Sequence, residues 1–467
     1  MQLNLTKLAS ALVLSSSLAG CAAMVRTPYE QPAVNMPSSF QNSKAANQKI
    51  HADAYADQWW TLFNDAQLNQ LISQVLDANT DLAVAGINLR QARLQAGLAQ
   101  DKQGPRVSSS ASAGHSFDLK SGDDSSKGLS LSAGVSYELD LFGKLSSQTE
   151  AAKWEALATE QDLQATAQSL IATAANLYWQ LGYLNERYIV AQQNLASTQK
   201  TYDLVKVQYK AGAVSGLDLA SAEQSVQSQK AALSQIEQQK VETRTALAVL
   251  LHEPIQQLNI AEPQRLPRIA MPNITAGLPA DLLSRRPDLQ ASELRLRKTL
   301  ANKDATKASY YPSISLTGTL GSSSTSLTQL LQNPALALGA SLSLPFLQYN
   351  DMKKDLAISD LDYEKAIIQY RQTLYQAFAD VENALSNRTE LNKQVAFEER
   401  NVQLAEKTER LTEVRYRNGA IALKNLIDAQ KTTRDARLSL VQAKQSQYNA
   451  YVTLMQALGG SPIKPLP

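Results

Sequence analysis

The sequence predicts an α+β membrane protein, internally duplicated, with four amphipathic barrel strands and long coiled-coil helices in each chain. Three observations carry that prediction. Short segments alternate apolar and polar residues, a proline-free run is too long for an ordinary globular helix, and one fixed offset relates the two halves of the chain.

The alternation is clearest from Leu129 to Leu141, where Leu129, Leu131, Ala133, Val135, Tyr137, Leu139 and Leu141 interleave with Ser, Gly, Glu and Asp. In the second half Ile314, Leu316, Gly318 and Leu320 alternate with Ser and Thr, and Leu336, Leu338, Ala340, Leu342, Leu344 and Phe346 follow. Val107 to Ala113 is a Ser-rich version of the same pattern. A tilted strand crosses an outer membrane in about 9 to 11 residues, with apolar groups toward lipid and polar groups toward a lumen. A soluble sandwich with one buried face also alternates in this way. Four strands cannot close a barrel, and an open edge in lipid leaves backbone groups unsatisfied, so closure requires other copies. Two copies give eight strands and three give twelve; the periodicity does not choose. The strand pairs are joined by polar segments, Ser116 to Gly128 and Gly321 to Pro334, expected as outward-facing loops.

Gly143 to Ala211 holds no Pro and one internal Gly, Gly182; its 69 residues would extend roughly 100 Å as a helix. Leu177, Leu181, Leu184, Tyr188, Ala191, Leu195, Tyr202, Val205 and Tyr209 step by threes and fours, with Thr198 breaking the run, which is the seam of a coiled coil. After a turn, Leu219, Ala222, Val226, Leu233, Ile236, Leu247 and Leu250 continue the spacing, and Leu426, Ala429, Ala436, Leu440, Ala443, Ala450, Leu454 and Ala457 match it in the second half. Gly212 and Gly419 stand where a helix end needs a left-handed residue.

The duplication pairs "TDLAVAGINLR" (Thr80 to Arg90) with "PDLQASELRLR" (Pro287 to Arg297), an offset of 207 residues. The same offset joins Pro105 to Pro312, Tyr209 to Tyr416, Gly212 to Gly419, Leu219 to Leu426 and Ala222 to Ala429. Each half reads as a helix, two strands, a very long helix, a turn and another helix. The expected organisation is a signal segment at 1–20, an extended, lipid-anchored N-terminal segment at 21–64, a first repeat at 65–264 with strands within 107–141, and a second repeat at 265–467 with strands within 313–346.

The chain start explains its lone thiol. Lys7 supplies a positive n-region, Leu8 to Ala19 is an apolar stretch too short to span a bilayer, and Leu18-Ala19-Gly20-Cys21 resembles a bacterial lipoprotein signal. That resemblance makes Cys21 the lipidated first residue of the mature chain, and Ala22 rather than Asp after it favours outer-membrane sorting. Elsewhere the 467 residues carry 45 Lys and Arg against 43 Asp and Glu, which points to no nucleic-acid partner. Three scattered histidines and one cysteine supply no metal site or Cys/His dyad, and the GxSxG, Walker A, GxGxxG, CxxC and HExxH patterns do not occur. No enzyme activity, metal or cofactor is expected. His252-Glu253 reads as a helix-end pair, not a site.

Together these residues resemble an outer-membrane factor of the TolC superfamily, in its OprM-like lipoprotein branch. The resemblance runs through Tyr29, Pro32, Pro37 and Phe40, then "WWTLFNDAQLNQLI" (Trp59 to Ile72), where Ala66 replaces the family's usual Pro, and then "LLSRRPDLQASELRL" (Leu282 to Leu296) and "YYPSISLTG" (Tyr310 to Gly318). Within it Arg285, Arg286, Pro287 and Asp288 read as architecture: Pro fits a first helical position and Asp complements the positive helix end.

The resemblance implies a homotrimer with a twelve-stranded β-barrel in outer-membrane lipid and a periplasmic α-helical tunnel. It also implies a periplasmic adaptor, an inner-membrane RND-type pump and small-molecule drugs as cargo. It places the helix-turn tips Tyr209, Gly212, Tyr416 and Gly419 at the adaptor. Candidate periplasmic gate residues are Asp428 and Asn425, the latter where relatives often carry a second Asp, with Asp218 and Ser221 at the matching positions of the first repeat. Rival readings are a coiled-coil outer-membrane lipoprotein scaffold and a channel exporting metal ions or polypeptides.

Overall fold

A computed structural model of the chain describes residues 25–42, 58–117, 124–267, 271–272, 280, 285–332 and 334–460. Cys21, the signal segment and Leu282 to Ser284 lie outside the described residues. In chain order the elements are α1 (Ala66–Ala78), α2 (Thr80–Asp101), β1 (Arg106–Phe117), β2 (Asp124–Leu139), α3 (Lys144–Lys210), α4 (Gly216–Leu250), α5 (Pro287–Ser309), β3 (Ser313–Ser324), β4 (Pro334–Ser343), α6 (Tyr349–Arg417) and α7 (Leu423–Ala457). Among the described residues no helix is long and apolar enough to cross a membrane.

The chain forms two compact units, each drawing on both sequence repeats. The first takes Ile87–Gln161 and Gln290–Thr373 together with the N-terminal stretch through Val34; the second takes Asn35–Gly86, Asp162–Leu289 and Leu374–Pro467.

In the first unit the strands form one antiparallel sheet in the order β1-β2-β3-β4. Pairing partners in an antiparallel ladder share a face. Val107, Val135, Gly318 and Leu338 therefore fall in one row on the apolar face, as do Ser109, Ala133, Leu320 and Leu336 in the next. The strands reach further outward than the apolar alternation, because Ser116 and Ser126 still pair and β3 continues through Ser324. The expected loops at Ser116 to Gly128 and Gly321 to Pro334 are shorter by those residues. At the helix side the strands stop sooner than the pattern: Leu141 sits in a turn, donating to the Leu139 carbonyl at 2.9 Å. Phe346 lies in a 3₁₀ turn opened by Pro345, which has no N–H for the ladder.

The helices of this unit repeat the strand order. Ala92 and Ala96 of α2 pack on Ala152 and Ala156 of α3, small side chains that let the backbones approach. Glu155 of α3 pairs with Lys298 of α5 at 3.0 Å, and Lys303 of α5 pairs with Asp360 of α6 at 2.8 Å. The N-terminal segment crosses this layer. Thr27 donates its N–H and hydroxyl to Asp304 at 2.8 and 2.7 Å, and Gln31 donates to the Tyr370 hydroxyl at 3.1 Å. The Arg297 guanidinium lies over the rings of Tyr29, at 4.2 Å, and Trp154, at 5.3 Å.

The core of the second unit is aromatic. Phe63 packs on Trp179 at 4.8 Å and on Tyr451 at 4.9 Å, while Trp179 meets Tyr448 at 4.9 Å between centroids. Asp65 caps α1 through the N–H groups of Gln67 and Leu68 and accepts the Tyr178 hydroxyl at 2.8 Å, fixing that helix to α3. Downstream of α4 the chain is clamped back onto α3 and α4: Asn185 donates to the Pro263 carbonyl at 2.9 Å, and Arg244 binds Glu262 through two hydrogen bonds of 2.6 and 2.8 Å.

Gly182 makes that close approach possible, since a Cβ there would stand 3.1 Å from the Arg265 carbonyl oxygen. Gly182→Val should therefore push the strap off α3 and destabilise the fold by about 1–3 kcal/mol, as overpacking generally does. A thermal melt of the purified protein followed by helical circular dichroism should show a lowered midpoint; an unchanged midpoint contradicts the packing.

Candidate functional site: the paired helical tips

The two turns that end the long helices use the same backbone device. In α3 the N–H of Gly212 donates to the Tyr209 carbonyl at 3.0 Å and that of Ala213 to the Gln208 carbonyl at 2.9 Å. In α6 Gly419 donates to Tyr416 and Ala420 to Arg415, both at 2.9 Å. This is the Schellman arrangement, which needs a left-handed residue just past the helix; the φ angles are +66° at Gly212 and +70° at Gly419. Neither glycine faces another atom within 4 Å, so the angle alone demands it.

The tips then pack on each other. Val205 of α3, Ala222 of α4, Tyr416 of α6 and Leu423 and Leu426 of α7 form one small core, edged by Tyr202, Leu219 and Ile427. Tyr416 is 7% exposed and donates its hydroxyl to Gln208 at 2.7 Å, whereas its repeat partner Tyr209 is 46% exposed. Burial raises the Tyr416 phenol above its usual range, and the Asp218 charge adds to the rise. Further along, Gln430 of α7 donates to the Thr201 hydroxyl of α3 at 3.0 Å, a buried polar tie. Thr198, the break in the apolar seam, is buried with its hydroxyl on the Asn194 carbonyl at 2.8 Å.

The gate candidates occupy unlike surroundings. Asp218 belongs to a capping box: Ser215 accepts the Asp218 N–H, and Asp218 accepts the Ser215 N–H at 3.0 Å and hydroxyl at 2.7 Å. Ser221 is half-buried beyond it, its carbonyl accepting the Ser225 hydroxyl at 3.0 Å. In the second repeat Ala422 stands where Ser215 does and provides no side-chain cap, so Asn425 is exposed without that partner. Asp428 is exposed and takes the Lys424 ammonium at 2.5 Å, a contact one helical turn away. Sequence reasoning passed over Lys424 and Gln208. The i, i+4 spacing of Lys424 and Asp428 carried that signal; no local pattern announces Gln208.

The Arg285 to Asp288 segment lies in the same unit as a helix junction. Pro287 opens α5, and Arg286, whose side chain is 12% exposed, forks onto Asp288 at 3.0 and 2.7 Å, reaches Asp380 of α6 at 3.2 Å and the Ala457 carbonyl of α7 at 3.4 Å. Burial alone would lower its affinity for a proton, but the two carboxylates outweigh it and the guanidinium stays charged. The Arg285 backbone is also the surface that a Cβ at Gly459, at 2.9 Å, would strike. Asp380, 94 residues from Arg286, carries no sequence signal for this role. Among the described residues no group of three or more His, Cys, Asp or Glu is placed to hold a metal ion.

The capping box generates a prediction. Hydrogen bonds from the Ser215 hydroxyl first, and its N–H second, hold the Asp218 carboxyl below the usual carboxylate range. A carboxyl depressed in the folded chain stabilises it at pH above the unfolded value, about 3.9, and loses that contribution as pH falls through the folded value. Ser215→Ala should cost the first turn of α4 about 1 kcal/mol of protection at neutral pH. Hydrogen exchange at Leu217 to Leu219 should report the loss, shrinking as acid protonates Asp218, with the α6–α7 turn unaffected. Equal protection in both proteins at neutral pH contradicts the cap.

Comparison with known proteins places this geometry. Residues 71–252 and 278–460 match the outer membrane efflux protein family. The chain is 30% identical over 460 residues to the pyoverdine export outer membrane protein OpmQ of Pseudomonas putida, covering 96% of each. It is 31% identical over 465 residues to the probable efflux pump outer membrane protein TtgC of Pseudomonas putida, covering 97% of this chain and 95% of that one. Among solved structures, the outer-membrane channel OprN superposes with a TM-score of 0.84 at 27% identity, covering 93% of this chain and 98% of that one. With the duplicated strand and helix units and the paired tips in place, the chain belongs to the outer membrane efflux protein family and is an outer-membrane efflux channel of the TolC type.

Proposed function

We propose that three copies of this chain close a twelve-stranded barrel in the outer membrane and continue it as a helical conduit into the periplasm. There the tips at Tyr209, Gly212, Tyr416 and Gly419 meet a periplasmic adaptor bound to an inner-membrane RND-type pump. The cargo is drugs and other small molecules, and Cys21 carries the lipid that holds the N-terminus at the same membrane. The observation that carries this reading is a sheet with one apolar and one hydroxyl face whose outer strands, β1 and β4, each pair on one side only among the described residues. In lipid both free edges need partners, and only further copies of the same sheet supply them in register.

The helices beneath those edges support the same reading. On α2, beside β1, Ile87, Leu94 and Leu98 form a seam at coiled-coil spacing; on α6, beside β4, Ile358, Leu361 and Ile368 form another. All six are between 57% and 63% exposed, on the sides turned away from α3 and α5. A ring in which α6 of each copy packs on α2 of the next covers both seams at once. The names of the relatives, which export pyoverdine or serve efflux pumps, favour small-molecule cargo.

At the tip, Asp428 is the proposed gate carboxylate and Lys424 its counter-charge; three copies around an axis make a ring whose charge depends on that pair. The test is single-channel recording of purified protein in planar bilayers. The wild type should conduct, and Asp428→Ala should raise conductance or weaken block by added cations. Unchanged conductance and block remove Asp428 from the gate, and protein that inserts without conducting favours a scaffold.

A further inference from the structure

The face of the sheet opposite the apolar stripe has an unusual composition. Reading the register across the four strands, Ser108 aligns with Gly134, Thr319 and Ala337, and Ser110 aligns with Ser132, Gly321 and Ala335. The next row outward is Ser112, Ser130 and Ser323. The hydroxyls bond to one another across strands, Ser110 to Ser132 at 2.8 Å and Ser112 to Ser130 at 2.7 Å. Within Arg106–His115, Gly128–Leu139, Ser313–Ser324 and Pro334–Ser343 the charged residues on this face are Arg106 and Glu138. Both stand at the helix-side end, where Glu138 binds Lys144 at 2.9 Å. Every other position there is Ser, Thr, Gly or Ala.

We infer that along these four stretches the hydroxyl face makes the barrel a wide, charge-indifferent duct, passing cationic, anionic and neutral solutes alike, with the fixed charge of these stretches confined to the periplasmic mouth at Arg106 and Glu138. The inference rests on the proposed channel and adds the chemistry of its outer segment. Short side chains keep the bore open. Hydroxyls already paired with each other offer water a polar wall but give a passing solute few strong partners. Between that mouth and the rows of Ser112 and Ser323 the wall carries no carboxylate or ammonium, so no local field sorts ions there, in contrast to pores built from charged rings. Sorting of cargo by charge then falls to the helical tip and to whatever loads it.

Cysteine labelling tests this directly, with a parent protein carrying only Cys21 as the background control. Ser132→Cys and, as a second site, Thr319→Cys are exposed in outer-membrane vesicles to size-matched cationic and anionic methanethiosulfonates. Both should react, with a cation-to-anion rate ratio within about threefold of that of a free thiol. Adding Ser110→Asp to Ser132→Cys should raise that ratio by roughly tenfold, the size of Coulomb coupling across a few ångströms of water. Leu131→Cys, on the lipid side, should resist both reagents. A ratio skewed tenfold without Ser110→Asp overturns charge indifference while leaving the channel intact. Failure of both lumen sites to react overturns the open duct, and labelling of Leu131→Cys overturns the face assignment and the channel reading beneath it.

Discussion

Unpaired backbone governs this molecule. Among the described residues, the four-stranded sheet leaves one row of N–H and C=O groups open on β1 and another on β4. In water such edges are a liability; in hydrocarbon each unsatisfied group costs several kcal/mol. On the proposed reading the neighbour that satisfies them is a copy of the same sheet. The helices inherit the constraint, because α2 feeds β1 and α6 leaves β4, so the same two ends of the unit carry the open edges and the exposed apolar seams. The inner helices α3 and α5 are already satisfied by alanine packing and by the ion pairs of Glu155 and Lys303.

Duplication supplied the architecture, and divergence within it marks where the two halves differ in capping and packing. Ser215 and Asp218 lock the first turn of α4, while Ala422 and Asn425 leave the equivalent turn of α7 without a side-chain cap. Tyr416 reaches into the tip core and binds Gln208, whereas Tyr209 stays at the surface. One hairpin is thus stiffened by its own residues and the other is held through contacts with its neighbour.

Much of this was legible in the sequence because its signals are local. Alternation from Leu129 to Leu139 places a strand and its two faces, glycine at 212 and 419 announces two left-handed helix ends, and the 207-residue offset links them. What escaped was of two kinds. Strand limits followed hydrogen bonding instead of hydropathy, so Ser-rich stretches extended β1 and β3 while Pro345 ended the β4 region early. Partners far apart in the chain left no trace: Asp380 and the Ala457 carbonyl around Arg286, Gln208 under Tyr416, and Arg265 against Gly182. The unlike roles of Asp218 and Asn425 were readable in principle, since Ser-x-x-Asp is a capping signature that the second repeat lacks.

The central claim is that each copy is completed by the next through the α6 and α2 seams. Leu94 lies 12 residues before β1 begins and Ile358 lies 15 residues after β4 ends, which sets them at similar depth beneath the sheet. Oxidation of the Leu94→Cys, Ile358→Cys double variant in outer-membrane vesicles is the most direct measurement. The account predicts covalent trimers on non-reducing denaturing gels, with neither single variant forming them. Monomers alone, under conditions where both thiols remain reactive, would contradict it.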